Sequence, residues 1–171
     1  MIELRDYQHG HLPEGFRQLL LDVHADAYAG QADDPFTQRF AWFVDHWTNL
    51  PGFTCTVGYD QDEAVGYAYG APAPDGRESW RPHLQPAPAR TRTYAVSELM
   101  VRPHWRGQGV ARQLHDHLLR ERPEDLAVLL VDTDHPKVQA LYESWGYRKI
   151  GNRRPFEDAP LYAVMLRELH P

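Results

Sequence analysis

The chain has 171 residues, 42% hydrophobic and 25% charged, the balance of one globular domain that buries about 70% of its unfolded surface. Eighteen Lys and Arg against 24 Asp and Glu leave a formal charge of −6. That argues against nucleic acid and anionic membranes as partners, because phosphate surfaces require a clustered positive field. Cys55 is the only cysteine, which excludes an intramolecular disulfide and a cysteine-rich zinc site. In the run Phe53-Thr54-Cys55-Thr56-Val57 it reads as a small buried hydrophobe. Met1-Ile2-Glu3-Leu4-Arg5 lacks a basic segment followed by an apolar one, and no window approaches about 18 apolar residues. The expectation is a single cytoplasmic domain over residues 1–171.

Taken in chain order, Met1 to Tyr7 reads as a short strand. Phe16, Leu19, Leu20, Val23 and Ala27 recur at helical spacing, and so do Phe36, Phe40, Phe43, Val44 and Trp47. Asp34-Pro35 supplies an N-cap and a first-turn proline for the second helix, and Leu50-Pro51-Gly52 ends it. Phe53–Tyr59 and Ala64–Tyr69 form a hairpin around Asp60-Gln61-Asp62-Glu63. Residues 71–92 hold five prolines and read as a long ordered loop, open to a role in substrate contact or to none.

Thr93 to Val101 is the next strand, followed by a helix whose apolar face is Val110, Ala111, Leu114 and Leu118. Leu126 to Val131 is continuously apolar, as expected of a strand covered on both faces. Val138, Leu141, Tyr142 and Trp145 mark a short helix stopped by Gly146, and strands near Tyr147–Ile150 and Leu161–Leu166 finish the chain. The order β-α-α-β-β-β-α-β-α-β-β predicts an α/β fold with one mixed central sheet of about seven strands and about four helices.

The sharpest local signal is Arg106-Gly107-Gln108-Gly109-Val110-Ala111 at a strand-to-helix junction. Glycines there let a ligand approach the backbone, and the first helical N–H groups lack internal partners. With the helix dipole behind them they suit a pyrophosphate; a purely structural turn is the alternative. The segment is neither a Walker loop nor G-x-G-x-x-G.

The run Glu98-Leu99-Met100-Val101-Arg102-Pro103-His104-Trp105-Arg106-Gly107-Gln108-Gly109-Val110-Ala111 resembles the acyl-CoA-binding core of the GNAT superfamily of N-acetyltransferases. Arg106, Gly109 and Ala111 match its Arg/Gln-x-x-Gly-x-Gly/Ala hallmark. His135 to Tyr147 resembles the second signature, Asn-x-x-Ala-x-x-Leu-Tyr-x-x-x-Gly-Phe, with His135 in place of the Asn and Tyr147 in place of the Phe.

The resemblance implies a V-shaped acyl-CoA cleft between the strands at 93–101 and 126–132. Backbone groups of Leu99, Met100 and Val101 would meet the pantetheine arm, and the N–H groups of Arg106, Gly107, Gln108, Gly109, Val110 and Ala111 the pyrophosphate. His135 is either a cofactor contact or a loop histidine. Tyr142 would be the acid that protonates the departing thiolate, or else a core tyrosine. Aminolysis needs a neutral amine, and Glu98, on the strand face of Tyr94, Val96 and Met100, is the candidate base. Its structural alternative is an ion pair with Arg92 or Arg102.

The implied reaction moves acetyl from acetyl-CoA to a primary amine, more in keeping with a small molecule than with a protein terminus or lysine. A non-catalytic acyl-CoA sensor is the rival. Tyr28, Asp33, Asp34, Trp42, Asp45 and Trp80 fall in segments that shape the acceptor pocket in this family. The ten histidines show no ligand spacing and read as surface residues, so no metal is expected. Dimerisation through the late strands is compatible with the sequence.

Overall fold

A computed structural model describes residues 1–171. In chain order the elements are β1 (Ile2–Gln8), α1 (Phe16–Ala27), α2 (Pro35–Gln38), α3 (Phe40–Thr48), β2 (Thr54–Asp60), β3 (Glu63–Pro72), β4 (Thr93–Val101), α4 (Val110–Leu119), β5 (Leu126–Asp132), α5 (Pro136–Ser144), β6 (Arg148–Arg153) and β7 (Tyr162–Glu168). The strands form one seven-stranded sheet in the order β1-β2-β3-β4-β5-β7-β6, the mixed α/β architecture expected from the sequence.

The fifth helix arises because the second expected helix is two. Asp34 caps α2, its Oδ2 accepting the Thr37 N–H at 3.0 Å. Arg39 then leaves helical geometry, with φ −95° and ψ 2°. Its N–H is shared between the carbonyls of Pro35 and Phe36, at 3.2 and 3.1 Å, which ends α2 before α3 begins. Asp60 pairs with Glu63 to close the β2–β3 hairpin, and Gln61 takes φ 56° in the turn.

The chain divides into two compact units. The first comprises residues Met1–Ala71 and Ser97–Glu121. In it α1 buries Phe16, Leu20, Val23 and Ala27, one stripe at helical spacing, against Phe40 and Val44 of α3 and against Cys55, Tyr67, Tyr69 and Met100 of the sheet. A Cβ on Gly66 would lie 2.5 Å from the Met100 carbonyl oxygen, so β3 needs a glycine there. Arg102 N–H donates to Val65 O at 2.7 Å, and Ala73 N–H to Thr93 O at 2.9 Å. Eight residue steps from Val65 to Ala73 thus match nine from Thr93 to Arg102, which places one extra residue, a bulge, on the β4 side.

The second unit comprises Pro72–Val96 and Arg122–Pro171. The Pro-rich loop contributes Trp80 to its core. Trp80 is fully buried with Leu126, Val128, Val164 and Leu166, and its Nε1 donates to Thr93 Oγ1 at 2.8 Å. The expectation that Trp80 shapes an acceptor pocket is therefore corrected: the indole fills an interior position that no ligand reaches. The loop is also fastened to β6, since a Cβ on Gly151 would meet His83 Nδ1 at 2.3 Å and Arg153 Nη1 donates to Ser79 Oγ at 3.2 Å. Two histidines read as surface residues are buried, His24 in the first unit and His115 on α4. His24 is covered by Phe40 of α3, on which it stacks.

Candidate active site

The loop between β4 and α4 has the form the sequence predicts. A short 3-10 turn, Pro103–Trp105, leads into Arg106, and Gly107 and Gly109 take φ 75° and 79°. A Cβ at either glycine would meet nothing within 4 Å, so the space before them is open. Hydrogen bonding within α4 begins only with Gln113 N–H on Gly109 O, at 3.1 Å. The N–H groups of Gly107, Gln108, Gly109, Val110 and Ala111 accordingly have no backbone acceptor in the chain, and no side chain caps the helix. Arg106 differs from the sequence expectation: its N–H is already given to Pro103 O at 3.2 Å. Five open donors at the positive end of a ten-residue helix fit a pyrophosphate.

On β4, Met100 and Val101 bury their side chains and Leu99 is half-buried, so a ligand along this segment would meet backbone. The β4–β5 ladder pairs Thr93, Tyr94 and Ala95 with Leu126, Ala127 and Val128 and does not continue beyond them. Arg106 Nε occupies the Val101 carbonyl at 3.1 Å.

Glu98 is half-buried, and desolvation pushes its carboxyl up to about 8. Neither arginine considered as its partner reaches it. Arg92 pairs with Asp125 at 3.4 Å, while Arg102 donates to Ala64 O at 2.7 Å and Asp26 Oδ2 at 3.2 Å. The Tyr69 hydroxyl is buried without a hydrogen-bond partner. Burial and the field of Glu98 raise it, while the Ser97 hydroxyl lies near enough to lower it without a well-formed bond. Tyr67 gives its hydroxyl to Leu20 O at 3.0 Å. His24, stacked on Phe40 at 3.7 Å, has a buried Nε2 with no partner, and burial lowers its pKa.

In the second unit, Tyr142 is buried on α5 and packs edge-on against Trp145 and Tyr147, at 5.2 and 5.7 Å between ring centroids. His135 stands at the N-terminal cap of α5 with its side chain exposed and its Nε2 3.9 Å from Asp132 Oδ2. No group of three or more His, Cys, Asp or Glu side chains is arranged to hold a metal ion. No helix is long and apolar enough to cross a membrane.

A sequence profile of the Acetyltransferase (GNAT) family matches residues 17–147, well over half of the chain. The chain belongs to the GNAT family of acetyltransferases. The family's reaction is acetyl transfer with acetyl-CoA as donor and an amine as acceptor. A comparison with curated protein sequences found no match. Solved GNAT folds superpose over nearly the whole chain. Escherichia coli ElaA has 19% identity and TM-score 0.70, over 98% of this chain and all of that one. The Escherichia coli ribosomal-protein-S18-alanine N-acetyltransferase has 17% identity and TM-score 0.70, over 100% and 96%. The aminoglycoside 6'-acetyltransferase type Ii has 19% identity and TM-score 0.68, over 99% and 98%. At such identity the likeness concerns the fold.

For a GNAT domain the two units divide the expected residues between them. Glu98, Leu99, Met100, Val101 and the loop to Ala111 lie in the first; His135 and Tyr142 lie in the second. The sequence reading missed the Tyr69 hydroxyl and the guanidinium of Arg106. Tyr67-x-Tyr69 at strand period was an available sign of two hydroxyls on one face. Nothing local announced that Arg106 would reach Ala27 O, 79 positions away.

Proposed function

We propose that this GNAT protein transfers acetyl from acetyl-CoA to the primary amine of a small molecule, by direct attack with both substrates bound. The observation that carries the reading is the run of five uncommitted N–H groups at Gly107–Ala111, before open space at the start of α4. In this reading they hold the pyrophosphate, backbone groups of Leu99, Met100 and Val101 align the pantetheine arm, and His135 contacts the cofactor. Glu98, as carboxylate, takes a proton from the acceptor ammonium. The freed nitrogen lone pair forms the C–N bond while the C–S bond breaks, the Tyr142 phenol gives its proton to the departing sulfur, and the acylated nitrogen releases its second proton to the phenolate so formed or to water. Both groups then re-equilibrate with water.

The overall charge of −6 and Trp42, 60% exposed on α3, favour a cationic acceptor with an apolar body. Asp34 and Asp45 are less available, since one caps α2 and the other pairs with Arg17 at 2.7 Å. The test is thermal unfolding with saturating acetyl-CoA, then a thiol-release screen of small amines against peptides. At 100 times Kd the donor adds about 2.7 kcal/mol, roughly 5–10 °C for a chain of this size. No shift at millimolar acetyl-CoA overturns the donor assignment; turnover confined to peptides reassigns the acceptor; binding without turnover of either makes the protein a sensor.

A further inference from the structure

The final turn of α1 presents carbonyls that the helix itself cannot satisfy. Tyr28 N–H takes His24 O at 2.9 Å. The carbonyl of Ala27, the last helical residue, accepts instead from Arg106 Nη2 at 2.7 Å. Nε of the same guanidinium donates at 3.1 Å to Val101 O, the last residue of β4. One planar, rigid fork therefore ties the end of α1 to the end of β4. Arg102 adds a second tie, to Ala64 O and to Asp26.

Arg106 also leads directly into the open N–H run at Gly107. On the other side of the tie stands Tyr28, half-buried, with its ring 4.7 Å from that of His24. Tyr28 lies close enough to Tyr67 to perturb its hydroxyl, and Tyr67 in turn feels the charge of Glu98.

We infer that Arg106 is a positioning residue: its guanidinium sets the place of Ala27 and Tyr28, so that a ligand on the Gly107–Ala111 loop steadies the turn after α1. The inference rests on the acyl-CoA reading of that loop. A ligand held by the loop fixes the backbone that carries the guanidinium, and a fixed guanidinium holds Ala27 O. The turn beyond, closed by Gln31 N–H on Tyr28 O and Asp34 N–H on Gln31 O, then opens less often.

The experiment is amide hydrogen exchange of the full chain with and without coenzyme A, alongside calorimetric titration of coenzyme A. Exchange at residues 28–34 is expected to slow by about fivefold or more on binding. Arg106→Met, which keeps the backbone donors, is expected to bind coenzyme A but to lose that slowing. Should the methionine variant not fold, Arg106→Gln, too short to join Ala27 to Val101, replaces it. Coenzyme A that binds the wild type without changing exchange at 28–34 overturns this inference and leaves the proposed function standing. A variant that binds coenzyme A and still slows exchange at 28–34 as the wild type does shows that the guanidinium does not carry the effect, and also overturns it. Coenzyme A that does not bind the wild type overturns the proposed function, and this inference with it.

Discussion

Trp80 Nε1 and Thr93 Oγ1 share a 2.8 Å hydrogen bond in the core of the second unit, and Thr93 passes its own proton to Thr91 O at 2.8 Å. Thr93→Val keeps the shape and removes the acceptor, leaving a buried indole N–H unpaired. The expected loss is about 1–3 kcal/mol, read in denaturant or thermal unfolding. The donor-induced thermal shift should be unchanged, since Thr93 lies outside the loop that carries it. A variant as stable as the wild type would mean that the indole has found another acceptor.

Gly109→Leu tests the loop directly. Its φ of 79° strains any side chain, by roughly 1–2 kcal/mol, but a Cβ there meets nothing within 4 Å. The added atoms fill the space assigned to the pyrophosphate. The variant should fold, with a lowered Tm, and should lose the acetyl-CoA shift altogether. Retention of the full shift would move the donor site elsewhere.

Glu98 gives two pH signatures of opposite use. Its folded pKa of about 8 stands above the ordinary carboxylate value. Between roughly pH 4.5 and 8 the folded chain therefore keeps a proton that the unfolded chain has released. Stability falls as pH rises through that window, by on the order of 2–4 kcal/mol after allowance for partial exposure. Glu98→Gln should lack that slope. Activity runs the other way, because a base must be ionised: kcat/KM should climb to a plateau with an apparent pKa near 8. Glu98→Gln should lose about 10²- to 10⁴-fold at the plateau, and less at lower pH. A uniform loss at every pH would assign Glu98 a structural role.

Tyr142→Phe removes one hydroxyl and keeps the ring that packs on Trp145 and Tyr147. As the proposed acid it should cost about 10²- to 10⁴-fold in kcat, with acetyl-CoA affinity nearly unchanged. Rates should recover with a donor whose thiol leaves without protonation. An unaltered kcat takes Tyr142 out of the chemistry.

What the sequence disclosed was mostly local. The glycines at 107 and 109 were legible because a ligand-facing helix start is written within six residues, and the strands because apolar runs repeat at period two or fill a buried stretch. The break at Arg39 was not, since it depends on one N–H divided between two carbonyls rather than on any helix-breaking residue type. Trp80 was misplaced for a different reason. A tryptophan in a Pro-rich loop looks exposed until the second unit's sheet supplies Leu126, Val128, Val164 and Leu166 to cover it. Likewise Glu98 could be paired on paper with Arg92 or Arg102, but the folded chain gives both arginines to other acceptors.

Both hydrogen bonds of the Arg106 guanidinium end on uncharged carbonyl oxygens, at 2.7 and 3.1 Å, whereas the neighbouring Arg102 reaches Asp26 as an ion pair at 3.2 Å. Added salt weakens a partly exposed ion pair of the second kind and leaves the first almost untouched. Raising the ionic strength should loosen Asp26 while Ala27 stays in place. The protein therefore carries, side by side, one fastening that answers to the salinity of its surroundings and one that does not.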